Sequence, residues 1–134
     1  MPALNYQPQW ADRVASGTKP HTIRATRKRP FKVGDRLIHY QGMRTKKCTL
    51  LGESISAVVM DVEIDTYHRT IRNGSDLLDA DAIARADGFD SLRQMMQFFS
   101  HRQQGWVFYG QLVAWESIVT PGGLLIPCDI SHLH

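Results

Sequence analysis

The sequence is short of several things, and each shortage removes a class of protein. It holds only two cysteines in 134 residues, Cys48 and Cys128. They lie far apart and match no metal-ligand spacing, so neither a disulfide framework nor a zinc site is expected. Both read as unpaired thiols of a cytoplasmic protein. No apolar run approaches the ~20 residues that cross a bilayer, and no membrane partner is expected. The segment Met1-Pro2-Ala3-Leu4-Asn5 carries neither a basic head nor a long apolar stretch, so no secretory leader is expected either. There is no internal repeat, no linker and no dense carboxylate cluster. No cofactor is therefore expected, and a divalent metal ion held through Asp87 is the single metal-assisted variant left open. What remains is 43% hydrophobic and 22% charged, ordinary for one globular domain that buries a core without staples.

Acidic residues are nearly missing from one stretch. Between Lys19 and Lys47 lie Lys19, Arg24, Arg27, Lys28, Arg29, Lys32, Arg36, Arg44, Lys46 and Lys47, opposed only by Asp35. From Glu53 to Asp90 the balance reverses. The net charge of +3 hides this asymmetry. A basic end of this kind is the electrostatic footprint of a phosphate-bearing partner, single-stranded RNA or a nucleotide, although a solvated surface reads the same way.

The basic stretch begins at the most informative motif, Gly17-Thr18-Lys19-Pro20-His21-Thr22-Ile23-Arg24. Before it, Pro8 suits a first helical turn and Trp10 and Val14 form an i,i+4 apolar pair, so a short helix should end at Gly17. Thr22 and Ile23 favour a strand, whose alternation sets Thr22 and Arg24 on one face with Lys19 reaching in from the turn. A cation, a hydroxyl and a guanidinium converging at one junction suit an anionic or strongly polar ligand.

Further along, strands are expected over residues 36–42, 47–51 and 56–65, the last with Val58, Met60, Val62 and Ile64 on one face. Asn73-Gly74-Ser75-Asp76 should turn. Asp79 and Ser91 should cap two helices, one ending near Gly88 and one carrying Leu92, Met95, Met96 and Phe99. Residues 106–115 read as a long strand with a close backbone approach at Gly110, and Trp106, Phe108 and Trp115 as core. Residues 117–134 read as a less regular tail. The fold class is α+β: a small β-barrel or curled mixed sheet with helices outside. His21 and His39 show no visible partner, and His132 and His134 form no designed metal site.

Gly17-x-Lys19-x-x-Thr22-x-Arg24 resembles the signature of ASCH domains, relatives of the PUA domain. Phe31–Leu37, Ala86–Phe89 and Phe108–Trp115 extend the similarity, which covers about residues 4–116. The resemblance implies a PUA-like barrel with the lysine motif lining a cleft, and a link to RNA binding or RNA cleavage. Many ASCH domains carry glutamate where this chain has Thr22. The threonine version is similar to small bacterial amidohydrolases that deacylate N4-acetylcytidine with a lysine, a threonine and a later glutamate. Carried over by position, Lys19, Thr22 and Asp87 would be catalytic, Asp87 being one methylene shorter than the glutamate. Arg24, Arg27, Lys28, Arg29, Arg44, Lys46 and Lys47 would hold phosphates, and Tyr40 would stack a base or sit at the barrel rim. Three functions follow: an RNA- or nucleotide-binding hydrolase of ribonuclease type, an N4-acylcytidine amidohydrolase, or a noncatalytic RNA-binding module.

Overall fold

The computed structural model describes residues 2–102 and 105–134. Within them the chain runs β1 (Ala3–Tyr6), α1 (Pro8–Ala15), β2 (His21–Ala25), β3 (Arg36–Gln41), β4 (Thr49–Asp65), β5 (Thr70–Asn73), β6 (Asp76–Leu77), α2 (Ala80–Ala86), α3 (Leu92–Ser100), β7 (Val107–Trp115), β8 (Ser117–Val119), β9 (Leu125–Pro127) and a final 3-10 turn (Ser131–Leu133). The fold is α+β with one mixed sheet: β1 and β3 are parallel, and the other pairings are antiparallel. The sheet curls but does not close, because among the described residues β1 pairs only with β3 and β2 only with β7. The expected curled sheet is present, without a sealed barrel.

The central strand, β7, lies between β2 and β4 and is buried from Gly110 to Trp115. Its side chains alternate between two cores. Leu112 and Ala114 join Ile23, Val62, Ile64, Ile83, Met95 and Phe99 beneath α2 and α3. Val113 and Trp115 join Leu4, Tyr6, Val14, Leu37 and Ile118 beneath α1. Such double-sided burial explains why this strand reads as a continuous apolar run. Gly110 is the close approach that the sequence suggested. A Cβ there would run into the Arg24 carbonyl oxygen, so glycine is what lets β2 lie against β7.

Several expectations need correction. The two strands expected over 47–51 and 56–65 are one strand, β4. Its first half pairs with β3 and β8 and its second with β7 and β5, with a register shift at Ser56/Val58. A change of partner along one strand leaves no turn signal for a sequence reading to find. The short strands β5 and β6 flank the expected turn at Gly74-Ser75. Trp106 is 66% exposed, whereas Phe108 and Trp115 are core as expected. Residues 117–134 form an ordered hairpin, β8–β9, and a closing turn. Ile118 inserts into one core and Ile130 into the other. Each such burial stabilises the docked segment by roughly 1.5–3 kcal/mol. Both helix caps are as expected: Asp79 accepts from the Ala82 amide and Ser91 from the Gln94 amide. Among the described residues no helix is long and apolar enough to cross a membrane.

Candidate active site

Helix α1 ends before Gly17, and the backbone amide of Lys19 then donates to the Arg13 carbonyl, turning the chain into β2. That turn points the lysine inward. From the far side, Asp87 follows the last turn of α2, and Gly88 (φ +101°) reverses the chain. A Cβ on Gly88 would sit 2.8 Å from the Trp10 ring, so glycine allows this reversal to pack on α1 and bring Asp87 up to Lys19.

The result is a buried polar cluster. Lys19 Nζ donates to the Asp87 backbone oxygen at 2.7 Å and to Asp87 Oδ1 at 2.8 Å. His21 Nδ1 lies 3.0 Å from the same Oδ1, and His21 Nε2 lies 3.0 Å from His132 Nε2. Lys19 is 3% exposed, Asp87 5% and His21 0%. Burial pulls the Lys19 amine below its ordinary value, against the opposing pull of Asp87. For Asp87, burial works to raise the carboxyl, but the Lys19 charge and the His21 hydrogen bond hold it below the usual carboxylate range. The shorter aspartate does reach the lysine, because Gly88 and Trp10 bring its backbone close.

This cluster forms one wall of a cavity of about 340 Å³. Thr22 and Arg24 line it as well, so the sequence-predicted group Lys19, Thr22, Arg24 and Asp87 meets in one place. Arg24 is tightly held: its Nε donates to Thr22 Oγ1 at 3.0 Å, a terminal nitrogen donates to the Asn5 carbonyl at 2.9 Å, and the guanidinium lies 5.0 Å from the Tyr6 ring centre. Aromatic rings make up much of the remaining lining, and the Trp10 ring centre lies 5.8 Å from Lys19 Nζ. Trp10 packs edge-on against Phe89 and Phe98 at 5.5 and 5.1 Å, and Phe99 and Phe108 lie behind them. Arg102 stacks on Phe98 at 3.4 Å.

The remaining sequence-predicted cations lie off this lining. Arg27, Lys28, Arg29, Arg44, Lys46 and Lys47 are all exposed, and Arg27 rests on the Phe31 ring at 4.5 Å. Tyr40 is half-buried on β3, also off the cavity. Its neighbour His39 is the fully buried residue: Nδ1 meets the Tyr6 hydroxyl at 2.9 Å and Nε2 meets Ser54 Oγ at 2.7 Å. Burial foremost, then the Arg24 and Lys19 charges, push this imidazole down to about 3. Among the described residues no group of three or more His, Cys, Asp or Glu is placed to hold a metal.

Sequence reasoning missed His21 and His132 as members of the cluster, and the aromatic wall. Asp87 was reached by family position and the wall not at all, since Trp10, Phe89, Phe98 and Phe108 come from four separate segments.

No family model and no curated protein matches this sequence. Among solved structures, the crystal structure of ASCH from Zymomonas mobilis matches with a TM-score of 0.55, covering 98% of this chain and 74% of that one at 14% identity. The chain has the ASCH fold. At that identity the likeness concerns the path of the backbone, and the chemistry must be argued from the cavity itself.

Proposed function

We propose that this ASCH-fold protein hydrolyses an acyl amide on a nucleobase-sized heteroaromatic substrate, of which an N4-acylcytidine is the model. One observation carries the reading: a buried amine–carboxylate pair and a threonine hydroxyl share a cavity lined in large part by aromatic rings. The volume is at the small end for ligand sites and suits one base with its substituent. Stacking on an aromatic wall contributes about 1–3 kcal/mol per base.

The chemistry follows from the hydrogen bonds. Two of the donor positions of Lys19 Nζ are directed at Asp87, which leaves one position for the cavity. In the neutral amine that position is a lone pair. Lys19 rests as the ammonium paired with Asp87, and burial eases loss of its proton, so the free amine formed on losing it is the general base. It takes a proton from water as the water oxygen attacks the acyl carbon. The carbonyl oxygen becomes an oxyanion opposite the Thr22 hydroxyl, which is free to donate because Arg24 occupies its oxygen as a donor. Collapse breaks the carbon–nitrogen bond, Lys19 returns the proton to the leaving amine, and the products are a carboxylic acid and the free base. Asp87 holds Lys19 in place and balances its charge while it carries the proton.

The test is chromatography of N4-acetylcytidine incubated with purified protein, with and without EDTA. Cytidine and acetate should appear in equal amounts, and their absence would sink the reading.

A second reading has an observation of its own. Arg27, Lys28 and Arg29 come just after Thr26, the residue next to Ala25, which lines the cavity, so a base seated inside could lead its phosphates onto that run. Single-stranded RNA would then be the partner, bound or cleaved, with Arg24 balancing phosphoryl charge. Four to six engaged phosphates give a slope of about −3 to −4 in log affinity against log salt, at about −0.7 each. Replacing Arg27 with alanine should flatten it by a little under one. A flat salt response would leave the amidohydrolase alone.

A further inference from the structure

The cluster does not end at Asp87. Its last member, His132, comes from the closing turn, 111 residues beyond His21 in sequence. We infer that His132 is a positioning residue: it stabilises the His21 tautomer that donates to Asp87 and, through Asp87, sets how much of the carboxylate's charge Lys19 receives. The inference rests on the reading of Lys19 as the general base.

Hydrogen-bond arithmetic gives the argument. Asp87 Oδ1 is an ionised oxygen and can only accept, so the His21 nitrogen facing it at 3.0 Å, Nδ1, must carry a hydrogen. In the neutral ring, His21 Nε2 is then a bare acceptor. The atom 3.0 Å from it, His132 Nε2, must therefore donate. His21 has no exposed surface, so water has no access to do that work. His132 thus satisfies the Nε2 lone pair that this tautomer leaves buried, and so helps hold the ring in the orientation that Asp87 requires. With the Nδ1–H tautomer in place, Asp87 Oδ1 serves two donors, and its hold on the Lys19 proton is divided. Without it, a bare Nδ1 would face the carboxylate, the ring would turn away, and Asp87 would give its whole charge to Lys19.

The charged surroundings do not supply a substitute. His132 faces His21, with Asp129, Asp79 and His134 around it, while Lys19 faces Asp87, with Arg24 and Arg13 beyond. Among these, only His132 lies within hydrogen-bond reach of His21 Nε2. The closing turn is anchored by Ile130, which is 5% exposed in the first core. Residues 117–134 are thus a working part of the site, because their docking completes the chain from Lys19 to the protein surface.

The test compares wild type with His132→Phe and His132→Gln, the latter offering an amide donor of similar reach. In the free protein, ¹⁵N spectra should show His21 as the Nδ1–H tautomer in wild type and His132→Gln, and lose that signature in His132→Phe. The Lys19 Nζ titration should move upward in His132→Phe by half a pH unit or more and return in His132→Gln. In turnover of N4-acetylcytidine, the acid limb of the kcat profile should move upward by the same amount, with KM changed less than twofold. A merely structural role would lower the rate equally at every pH. An unchanged His21 tautomer or an unmoved Lys19 titration in His132→Phe overturns the inference, whatever the activity. If no substrate is turned over, the amidohydrolase reading fails while the two spectroscopic outcomes still decide this one.

Discussion

Two histidines of this protein are equally hidden, and their surroundings could hardly differ more. His39 sits between the hydroxyls of Tyr6 and Ser54 with its ring 4.5 Å from that of Trp115. Both hydroxyls are neutral and can donate or accept, and burial, with the Arg24 and Lys19 charges nearby, keeps the imidazole uncharged while it ties β1, β3 and β4 together. His21 sits against a carboxylate that also holds a buried ammonium. Burying such a pair gives little net stability over an apolar replacement, since desolvating two charges costs about what their attraction returns. Burial alone therefore does not mark a functional site. The presence of charge that the fold has no structural need to bury is the better sign.

The two clusters should differ most at Asp87. Replacing it with alanine leaves the Lys19 ammonium buried without a counter-charge, and urea unfolding at neutral pH should show a loss of about 3–5 kcal/mol. The double change Lys19→Met with Asp87→Leu should recover most of that loss. A single-variant loss under about 1 kcal/mol would mean the charges are not paired as described. The matching change in the other cluster, His39→Phe, should cost about 1–3 kcal/mol, because the Tyr6 and Ser54 hydroxyls lose a partner but no charge is stranded. Hydrolysis by that variant should stay within about tenfold of wild type, and a collapse of activity would erase the contrast between the clusters.

Acid acts on His39 as well. The unfolded chain binds a proton at His39 below pH 6.5, whereas the folded protein resists until about pH 3. This contribution to stability is complete above pH 6.5 and drains away as pH falls toward 3, at up to about 1.4 kcal/mol per pH unit. The stability difference between wild type and His39→Phe should therefore shrink between pH 6.5 and 4. A difference constant over that range would mean His39 protonates freely in the fold.

What could be read in the sequence follows a pattern. Lys19, Thr22 and Arg24 were legible because one strand and the turn before it place them, and β-alternation is a local rule. The caps at Asp79 and Ser91 were legible for the same reason. His21 lies inside that motif, yet its role stayed hidden because Asp87 and His132 arrive from 66 and 111 residues away. The segment after residue 117 looked irregular because its strands are three residues each, too short for a period to register, and the burial of Ile118 and Ile130 in the two cores shows why it is ordered. The basic run was plain in the sequence, but its position outside the cavity lining was not, because charge patterning says nothing of which side of a sheet faces a pocket.

In the proposed hydrolysis Lys19 moves the proton. The most direct test is single-turnover hydrolysis of N4-acetylcytidine by wild type and by Lys19→Ala, both shown folded by circular dichroism. A rate at least about a hundredfold lower is expected in the variant, the usual scale for loss of a general base. Rates equal within a factor of two would contradict it.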